Sequence, residues 1–463
     1  MAKSKPTPAA LPRHLAPLLL LALAVLVFYS EPLTSSQASI QWDAVDVHYT
    51  AQRYFAEMVR QGQLPEWVPY IYSGYPFLAD PQVGAWYPLN WPFFLLGVTP
   101  AAIQAELALH ALIAALGAYF FAFLWTRERI SSGVAAMAYA FSGFFAGHAS
   151  HVGMFQGAAW LPVILLALER ALASGSMAWM TAGGVAVGVA ALAGHFQTSI
   201  YTGFVVAVYG AWLVATRRPP AVRVAMTAAG FALFPMAIAA AVVLPGLTLL
   251  DRSVRLGMSF DGATNSPLVP AALGTLLWPN ALGALDPETY RGPADITQYY
   301  LYAGLLLVPL AVGGLVQSSL RWAALVLVVP AMWYSLGPSY GLYAVLAKLP
   351  GLGSVRAPVH LWFVVALGLA LAAAGGVAVL AERWKSRLLL VVAGFVFVDL
   401  WYWNSLANPL AYGRHSFAEG YGNKLAEFQM RLGSQLPELM RFHAERPLGA
   451  FGPQNHPVDA RVA

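Results

Sequence analysis

Two aspartates lie where the chain leaves its first apolar stretch. Asp43 and Asp46 occur in Gln41-Trp42-Asp43-Ala44-Val45-Asp46, and apolar residues then recur at a helical period to about Arg60, which predicts an amphipathic helix. Because residues three apart share a helix face, both carboxylates are expected on one face of its first turn. Such a carboxylate either caps the helix and interacts with its dipole or serves as a general base.

A segment rich in proline and aromatic residues follows this helix. Trp67 lies in Gly62-Gln63-Leu64-Pro65-Glu66-Trp67-Val68-Pro69, Tyr75 lies in Gly74-Tyr75-Pro76, and Tyr87-Pro88-Leu89-Asn90 comes soon after. Tyrosine and tryptophan are enriched where a protein meets the membrane–water interface. These rings are therefore expected either to lie at that interface or to contact a sugar or a lipid headgroup.

Other polar residues occur within or next to apolar stretches. His148 and His151 are three apart, a spacing that chelates a metal ion on a helix, but no third ligand is evident and we predict no metal site. Glu106 and His110 share a helix face, where a bond between them would satisfy both. Asp399 lies deep in the last apolar stretch without an evident partner. Ionisable residues in such stretches usually face a bundle interior.

The elements that hold these residues are predicted to be membrane helices. Hydrophobic residues make up 59% of the 463 residues, charged residues only 10%, and the mean hydropathy is +0.61. A soluble domain carries about 25% charged residues, so this chain cannot cover itself with a hydrated surface. The absence of cysteine excludes disulfides and cysteine nucleophiles. The net charge of +5 is dispersed over short loops, which argues against a nucleic-acid partner.

Eleven apolar stretches approach the length of about 20 residues that spans a bilayer core. We therefore predict an all-α polytopic membrane protein with about 11 transmembrane helices. The predicted spans are residues 15–33, 101–125, 133–147, 158–172, 180–193, 200–215, 222–250, 299–316, 322–336, 359–380 and 388–403.

The distribution of lysine and arginine predicts the orientation of these spans. Basic residues occur in the N-terminal segment and in every alternate short loop, which the positive-inside rule assigns to the cytoplasm. The N-terminus is then cytoplasmic and the C-terminus outside. The first span has one alternative, a signal peptide cleaved near the small residues of Ser36-Gln37-Ala38.

This orientation puts the long loops on the outer side of the membrane. They comprise residues 34–100, 251–298 and 337–358, within a transmembrane module of residues 1–404 that a short non-cytoplasmic tail, residues 405–463, follows. Long loops usually exist for function. The working surface is therefore expected to face outward, with amphipathic helices in the first loop.

The first outer loop resembles that of the YfhO-type bacterial membrane proteins, which belong to the GT-C superfamily of polyprenyl-phosphate-sugar-dependent glycosyltransferases. The shared pattern is an aspartate, an amphipathic helix, Gly-x-x-Pro-x-Trp-x-Pro, Gly-x-Pro and Tyr-Pro-Leu-Asn, here Asp43 and residues 62–69, 74–76 and 87–90. Further similar pieces follow in the family's order: Gly194-His195-Phe196-Gln197, Ser253-Val254-Arg255, Tyr302-Ala303-Gly304 and Arg356-Ala357-Pro358. The chain departs from the family in having Thr50 where a proline often stands, and in its short segment after the last span.

The resemblance implies a GT-C-like fold and transfer of a sugar from a polyprenyl-phosphate donor to an envelope glycan or lipid-linked acceptor, outside a bacterial cytoplasmic membrane. It favours Asp43 over Asp46 as the general base that deprotonates the acceptor hydroxyl, with inversion at the anomeric carbon. A phosphate leaving group needs cations or hydrogen-bond donors. The candidates for substrate binding are Trp67, Tyr75, His195, Gln197, Arg252, Arg255, Arg291, Tyr302 and Arg356. Each arginine has the alternative of an ordinary loop cation or a salt-bridge partner.

Two other classes of function stay open. A flippase or transporter of lipid-linked sugars would also be polytopic, although the chain shows no internal repeat. A non-catalytic envelope-assembly protein would keep the fold without the chemistry. Membrane lipids are expected partners, no cofactor is specified, and the sequence leaves open whether a divalent cation is needed.

Overall fold

The computed structural model describes residues 11–68, 74–252, 266–348 and 355–417, and in these ranges the chain is helical without a β-strand. The all-α prediction is confirmed. The α-helices, numbered in chain order, are α1 (Leu11–Phe28), α2 (Ser30–Thr34), α3 (Thr50–Arg60), α4 (Trp91–Leu96), α5 (Pro100–Thr126), α6 (Arg129–Ala140), α7 (Gly143–Gly147), α8 (Val152–Ala159), α9 (Leu161–Ser174), α10 (Met177–Leu192), α11 (Phe196–Arg217), α12 (Ala221–Asp251), α13 (Leu307–Gln317), α14 (Arg321–Ser335), α15 (Leu342–Leu346), α16 (Trp362–Ala381) and α17 (Ser386–Trp401).

The described ranges contain seven helical segments that are long and apolar enough to cross a membrane. An eighth arises if α13 and α14, which meet at a bend of 117°, form one broken span, and α1 and α10 are shorter apolar helices. The predicted multi-pass architecture is confirmed, but the count of eleven is not. The seven segments are Pro100–Thr126, Arg129–Gly147, Val152–Ser174, Phe196–Arg217, Ala221–Asp251, Pro358–Ala381 and Ser386–Leu406.

The predicted span 299–316 differs most from the structure. Its first residues belong to a 3₁₀ turn, Ile296–Tyr299, and to an irregular segment in which Gly304 has a φ of 106°. The helix α13 therefore begins only at Leu307 and has 11 residues. A helix of that length rises about 16 Å, roughly half the thickness of the hydrocarbon core.

The centre of the bundle is α16, which packs against α6, α13 and α14. Glycines allow its close approach to α13. A Cβ atom added at Gly314 would lie 1.8 Å from the carbonyl oxygen of Ala372, and one at Gly376 would lie 2.1 Å from that of Leu310. Small residues at helix contacts are the usual basis of packing between membrane helices.

The bundle has two chemically distinct ends. His151 directly precedes the helical segment Val152–Ser174, and Glu169 lies eighteen residues later near its other end, about 27 Å away along a helix. The end with Asp43 and His151 is called the loop end, and the end with Glu169 and Arg217 is called the basic end.

Candidate functional site at the loop end

Asp43 lies directly before a π-helix, Ala44–Tyr49, which continues into α3. The Asp43 carboxylate makes no capping hydrogen bond to this helix, and 44% of the side chain is exposed. Its Oδ2 atom lies 4.0 Å from Nε2 of His151. Asp43 therefore occupies the capping position without a capping bond, and its carboxylate is near an imidazole and open to solvent.

The π-helix changes the expected relation between the two aspartates. Its hydrogen bonds run from residue i to i+5, so a turn needs more residues than in an α-helix. The expectation that Asp43 and Asp46 share a face assumed α-helical spacing and does not apply to this segment. Asp46 is partly buried, and its backbone carbonyl accepts a hydrogen bond from the Thr50 hydroxyl at 3.0 Å.

Five histidines from four segments gather beside Asp43, and we call them the histidine cluster: His48, His148, His151, His195 and His360. The ring centroids lie 5.4 Å apart for His148 and His151, and 5.6 Å apart for His148 and His360. The His195 and His360 rings lie 6.0 Å apart, and His48 interacts electrostatically with Asp43 and His151. The cluster thus joins the first loop, the α7–α8 connection, the start of α11 and the approach to α16.

Burial favours the uncharged form of two imidazoles of the cluster, those of His48 and His148. Burial lowers the pKa of His48 to about 4, against the opposite effect of nearby Asp43. Burial, reinforced by His151, lowers the pKa of His148 to about 3. A neutral imidazole offers one N–H donor and one acceptor nitrogen, so these rings are suited to hydrogen bonding rather than to carrying charge.

Gln197 and His195 join this cluster at the start of α11. The Gln197 amide donates to the backbone carbonyl of Arg356 and, at 3.2 Å, to Nδ1 of His360. Nδ1 of His195 accepts a hydrogen bond from the Thr198 amide at 3.2 Å, so the ring caps α11 and carries its proton on Nε2. Two residues predicted to bind substrate, His195 and Gln197, therefore lie at the histidine cluster.

Arg356 supplies the positive charge at this point. It is partly buried, and burial lowers the pKa of its guanidinium, which nevertheless stays protonated as arginine does in proteins. It interacts electrostatically with His360. Among the candidate arginines that the structure describes, Arg356 is therefore the one joined to the histidine cluster.

A close backbone approach holds the first loop against the His195 turn. Gly194 has a φ of +90°, and a Cβ atom there would lie 2.0 Å from the carbonyl oxygen of Pro81. Any other residue would displace this contact. Asp80 fixes the same stretch, since its carboxylate accepts a hydrogen bond from the Gln82 amide at 2.9 Å.

A buried polar network anchors α3 to the bundle. The Glu106 carboxylate on α5 accepts hydrogen bonds from Gln52 of α3 at 3.1 Å and from Gln156 of α8 at 3.2 Å. Gln156 also donates to Oδ1 of Asn90 at 3.0 Å. All of these side chains are buried, so the helix that follows Asp43 is tied to two helices of the bundle.

The expected bond between the Glu106 and His110 side chains is not formed. His110 contacts the Tyr87 hydroxyl at 2.6 Å and the backbone carbonyl of Glu106 at 2.6 Å, while Trp160 donates to the Tyr87 hydroxyl at 2.8 Å. The sequence prediction was wrong here because the glutamines that bind the carboxylate are distant in sequence. Tyr87, together with Asn90, makes the Tyr-Pro-Leu-Asn motif an anchor of the first loop.

Trp67 and Tyr75 lie at an antiparallel backbone contact between Val68 and Tyr75. Val68 and Tyr75 exchange two backbone hydrogen bonds of 2.9 Å. A Cβ atom at Gly74 would lie 2.3 Å from the Trp67 indole, so the glycine of the Gly-x-Pro motif makes room for that ring. Tyr75 is buried and donates to Asp80 at 3.1 Å, whereas Trp67 is exposed.

The remaining candidates lie elsewhere or outside the described residues. Tyr302 is buried and its hydroxyl donates to the Asp399 carboxylate at 2.7 Å. The Leu305 amide donates to the same carboxylate at 2.8 Å. These are the partners of Asp399 that the sequence did not reveal. Arg252, after α12, and Arg291 are exposed. The sequence motif that ends in Arg255 lies outside the described residues.

Of the cluster, only His195 is predicted as a site residue from the sequence. His148 and His151 are considered there only as a metal-binding pair, and His48 and His360 are not singled out. His48 lies in an amphipathic pattern and His360 at the edge of an apolar stretch, where neither has a local motif. The one available signal is that His360 lies four residues after Arg356. Across the described part of the chain, no three histidine or acidic side chains are arranged to hold one metal ion.

Comparison with solved structures identifies the fold. No family model matches the chain, and no curated protein matches it in sequence. The oligosaccharyltransferase of Archaeoglobus fulgidus superposes with a TM-score of 0.56 at 13% identity, over 94% of this chain and 60% of that one. The arabinofuranosyltransferase AftD from mycobacteria gives 0.51 at 15% identity, over 94% of this chain and 30% of that one.

A third similar structure is ArnT from Cupriavidus metallidurans, with a TM-score of 0.50 at 13% identity over 95% of this chain and 86% of that one. The chain therefore has the fold of the GT-C glycosyltransferases. It spans about 60% of the length of the archaeal oligosaccharyltransferase that it resembles.

Proposed function

We propose that this protein is a membrane glycosyltransferase that moves a sugar from a polyprenyl-phosphate donor to a hydroxyl acceptor, with Asp43 as general base. The observation that carries the proposal is the exposed Asp43 carboxylate, 4.0 Å from His151, on a GT-C fold. The protein would be of the YfhO type and would act at the outer face of a bacterial cytoplasmic membrane. Its acceptor would be an envelope glycan or another lipid-linked molecule.

The chemistry follows from the groups beside Asp43. An acceptor hydroxyl attacks the anomeric carbon as its proton passes to the Asp43 carboxylate, and the bond from that carbon to the phosphate oxygen breaks. One displacement of this kind inverts the anomeric centre. The phosphate gains negative charge, which Arg356 and the N–H groups of His195 and His360 are suited to stabilise.

An apolar groove next to the cluster supports a lipid-linked donor. It is a narrow crevice of about 10 Å³ between α11, α14 and α16. Leu361, in its wall, directly follows His360, and Val205 lies one helical turn after Tyr201, whose hydroxyl accepts from Gln197 at 3.1 Å. A polyprenyl chain that lies against this apolar surface would have its phosphate near Arg356 and the histidine cluster. The groove is lined in part by Phe204, Val205, Leu327, Pro330, Leu361 and Val364.

The test compares Asp43→Asn with Glu57→Gln, an exposed carboxylate on α3 that serves as the control. Purified protein is given undecaprenyl phosphate carrying a radiolabelled hexose or pentose, with a bacterial envelope extract as acceptor. We expect Asp43→Asn to lose transfer by about 10²- to 10⁴-fold while it binds undecaprenyl phosphate as the parent protein does. Undecaprenyl phosphate is the lipid bound in a crystal structure of ArnT.

Equal transfer by Asp43→Asn would remove this aspartate from the mechanism. If the parent protein neither binds undecaprenyl phosphate nor releases sugar, the transferase proposal fails. Movement of the lipid-linked sugar across vesicles without any acceptor would instead support a flippase.

A further inference from the structure

The segment after α17 returns to the first loop directly before Asp43. Residues 407–417, which we call the C-terminal strap, run antiparallel to residues 36–41. Ser39 and Gly413 exchange backbone hydrogen bonds of 2.9 and 2.7 Å, and the Phe417 amide donates to the Ser36 carbonyl at 2.9 Å. The two segments therefore form a short two-stranded contact, although they lie more than 360 residues apart in the sequence.

The contact with the strap that lies closest in sequence to Asp43 is made by Gln41. Its side-chain amide donates to the Pro409 carbonyl at 2.8 Å. A Cβ atom at Gly413 would lie 2.7 Å from Nε2 of Gln41 and 2.1 Å from the His415 ring, so a side chain there would displace the Gln41 amide. The absence of a side chain at residue 413 thus permits the contact between Gln41 and the strap.

The loop is fixed on its other side by the bundle. Gln104 of α5 donates to the Ala38 carbonyl at 2.7 Å, and Ala38, Ser39 and Ile40 are buried. The segment before Asp43 is therefore held between a transmembrane helix and the strap.

Trp42, which links this held segment to Asp43, has a strained backbone. Its φ is +55°, a left-handed conformation that is rare for a bulky residue. Such strain persists only where neighbouring contacts fix it, and it concentrates at functional sites. The Trp42 carbonyl in turn accepts the Val45 and Asp46 amides at 2.8 and 2.9 Å, so its conformation sets the start of the helix that carries Asp43.

We propose that Gln41 and Gly413 are positioning residues that hold Trp42 in its left-handed conformation and thereby direct Asp43 toward His151. This inference rests on the proposed role of Asp43 as general base. It assigns a function to the C-terminal strap, namely to keep the carboxylate at the attacking hydroxyl. An effect on catalysis is expected because a displacement of about 1 Å costs up to 10²-fold in rate.

The experiment measures sugar release from the labelled undecaprenyl-phosphate sugar by Gln41→Ala and Gly413→Ala, with Gln37→Ala as the control because Gln37 is exposed in the same segment. We expect kcat to fall by about 10- to 100-fold in both test variants, with KM for the donor unchanged, and no change in the control. Adding Trp42→Asn to Gln41→Ala should restore most of kcat, since asparagine tolerates the left-handed conformation.

Hydrogen exchange separates this proposal from the one on which it rests. In Gln41→Ala the amides of residues 39–46 should exchange faster than in the parent protein, with those of α5 unchanged. Full activity of Gln41→Ala, a change confined to KM, or no rescue by Trp42→Asn would overturn the positioning role. If Asp43→Asn stays active, the general-base proposal fails, while the exchange result still reports whether the strap holds the loop.

Discussion

The two ends of the bundle each hold a carboxylate, and their surroundings differ. At the basic end, Glu169 is 4% exposed, lies 2.7 Å from the Arg217 guanidinium, and accepts hydrogen bonds from Tyr209 at 2.5 Å and Trp125 at 2.9 Å. At the loop end, Asp43 is 44% exposed and lies 4.0 Å from a histidine. The partners of Glu169 already occupy its oxygens, whereas the Asp43 carboxylate is open to a reacting molecule.

The difference distinguishes a carboxylate that stabilises the fold from one that is placed to react. A buried carboxylate that is paired and hydrogen-bonded holds helices together, and losing a partner there destabilises the fold. A carboxylate that is accessible and held by its backbone, as Asp43 is by Gln41 and Trp42, can accept a proton without disturbing the packing. We therefore expect substitutions at the basic end to affect stability and those at the loop end to affect catalysis.

The largest effect on stability is expected from Glu169→Ala. The change leaves Arg217 without its partner and removes the acceptor of Tyr209 and Trp125, so we expect a loss of roughly 3 kcal/mol and a clear fall in melting temperature in detergent. Sugar transfer per folded molecule should stay within about twofold. A variant that melts normally but has lost transfer would contradict the division between the two ends.

His151→Gln should give the next largest effect, now on catalysis. Removing the imidazole beside Asp43 is expected to lower transfer by about 10- to 100-fold, because a displacement of the base by about 1 Å costs up to 10²-fold in rate. The melting temperature should change little, because His151 is only partly buried. The matched control is His14→Gln, at a partly buried histidine of α1 that bonds the Tyr119 hydroxyl; a loss of transfer in that variant equal to that of His151→Gln would count against a specific role.

These expectations also show what the sequence could predict. The apolar stretches predicted a polytopic helical protein, and the motifs pointed to Asp43, His195, Gln197 and Arg356 as separate positions. His195, Gln197 and Arg356 meet at His360 through contacts between residues more than 150 positions apart, and Asp43 meets His151, 108 positions away. No local pattern encodes these contacts. The sequence also could not decide whether Asp43 caps its helix, because spacing alone cannot tell whether a carboxylate at a helix start bonds to the backbone.

A smaller effect is expected from Gln52→Leu, which tests the attachment of the loop end to the bundle. It removes a donor to the buried Glu106 carboxylate, and we expect a loss of about 1–2 kcal/mol. Gln63→Leu, at an exposed position after α3, is the control and should melt as the parent protein does. Transfer by Gln52→Leu should fall several-fold because α3 follows Asp43; unchanged melting would show that the network does not support the loop.

The smallest effect is expected from mild acid. The folded pKa values of His48 and His148, about 4 and about 3, lie below the ordinary value of 6.5, so the unfolded chain binds more protons and stability falls as the pH drops below 6.5. Between pH 7 and 6 each histidine should cost less than about 1 kcal/mol. The test measures the melting temperatures of the parent protein and of His48→Gln at pH 7, 6 and 5. The melting temperature of the variant should fall less with decreasing pH, and identical slopes for the two proteins would contradict this account.

The most direct measurement pairs Asp43→Asn with Glu169→Gln and records both melting temperature and sugar transfer from an undecaprenyl-phosphate sugar. The contrast between the two ends predicts that Asp43→Asn has the melting temperature of the parent protein and transfers no sugar. Glu169→Gln should have a lower melting temperature and still transfer sugar. If Asp43→Asn transfers sugar at the parent rate, or if both variants lose stability and transfer together, the loop-end carboxylate is not the catalytic base.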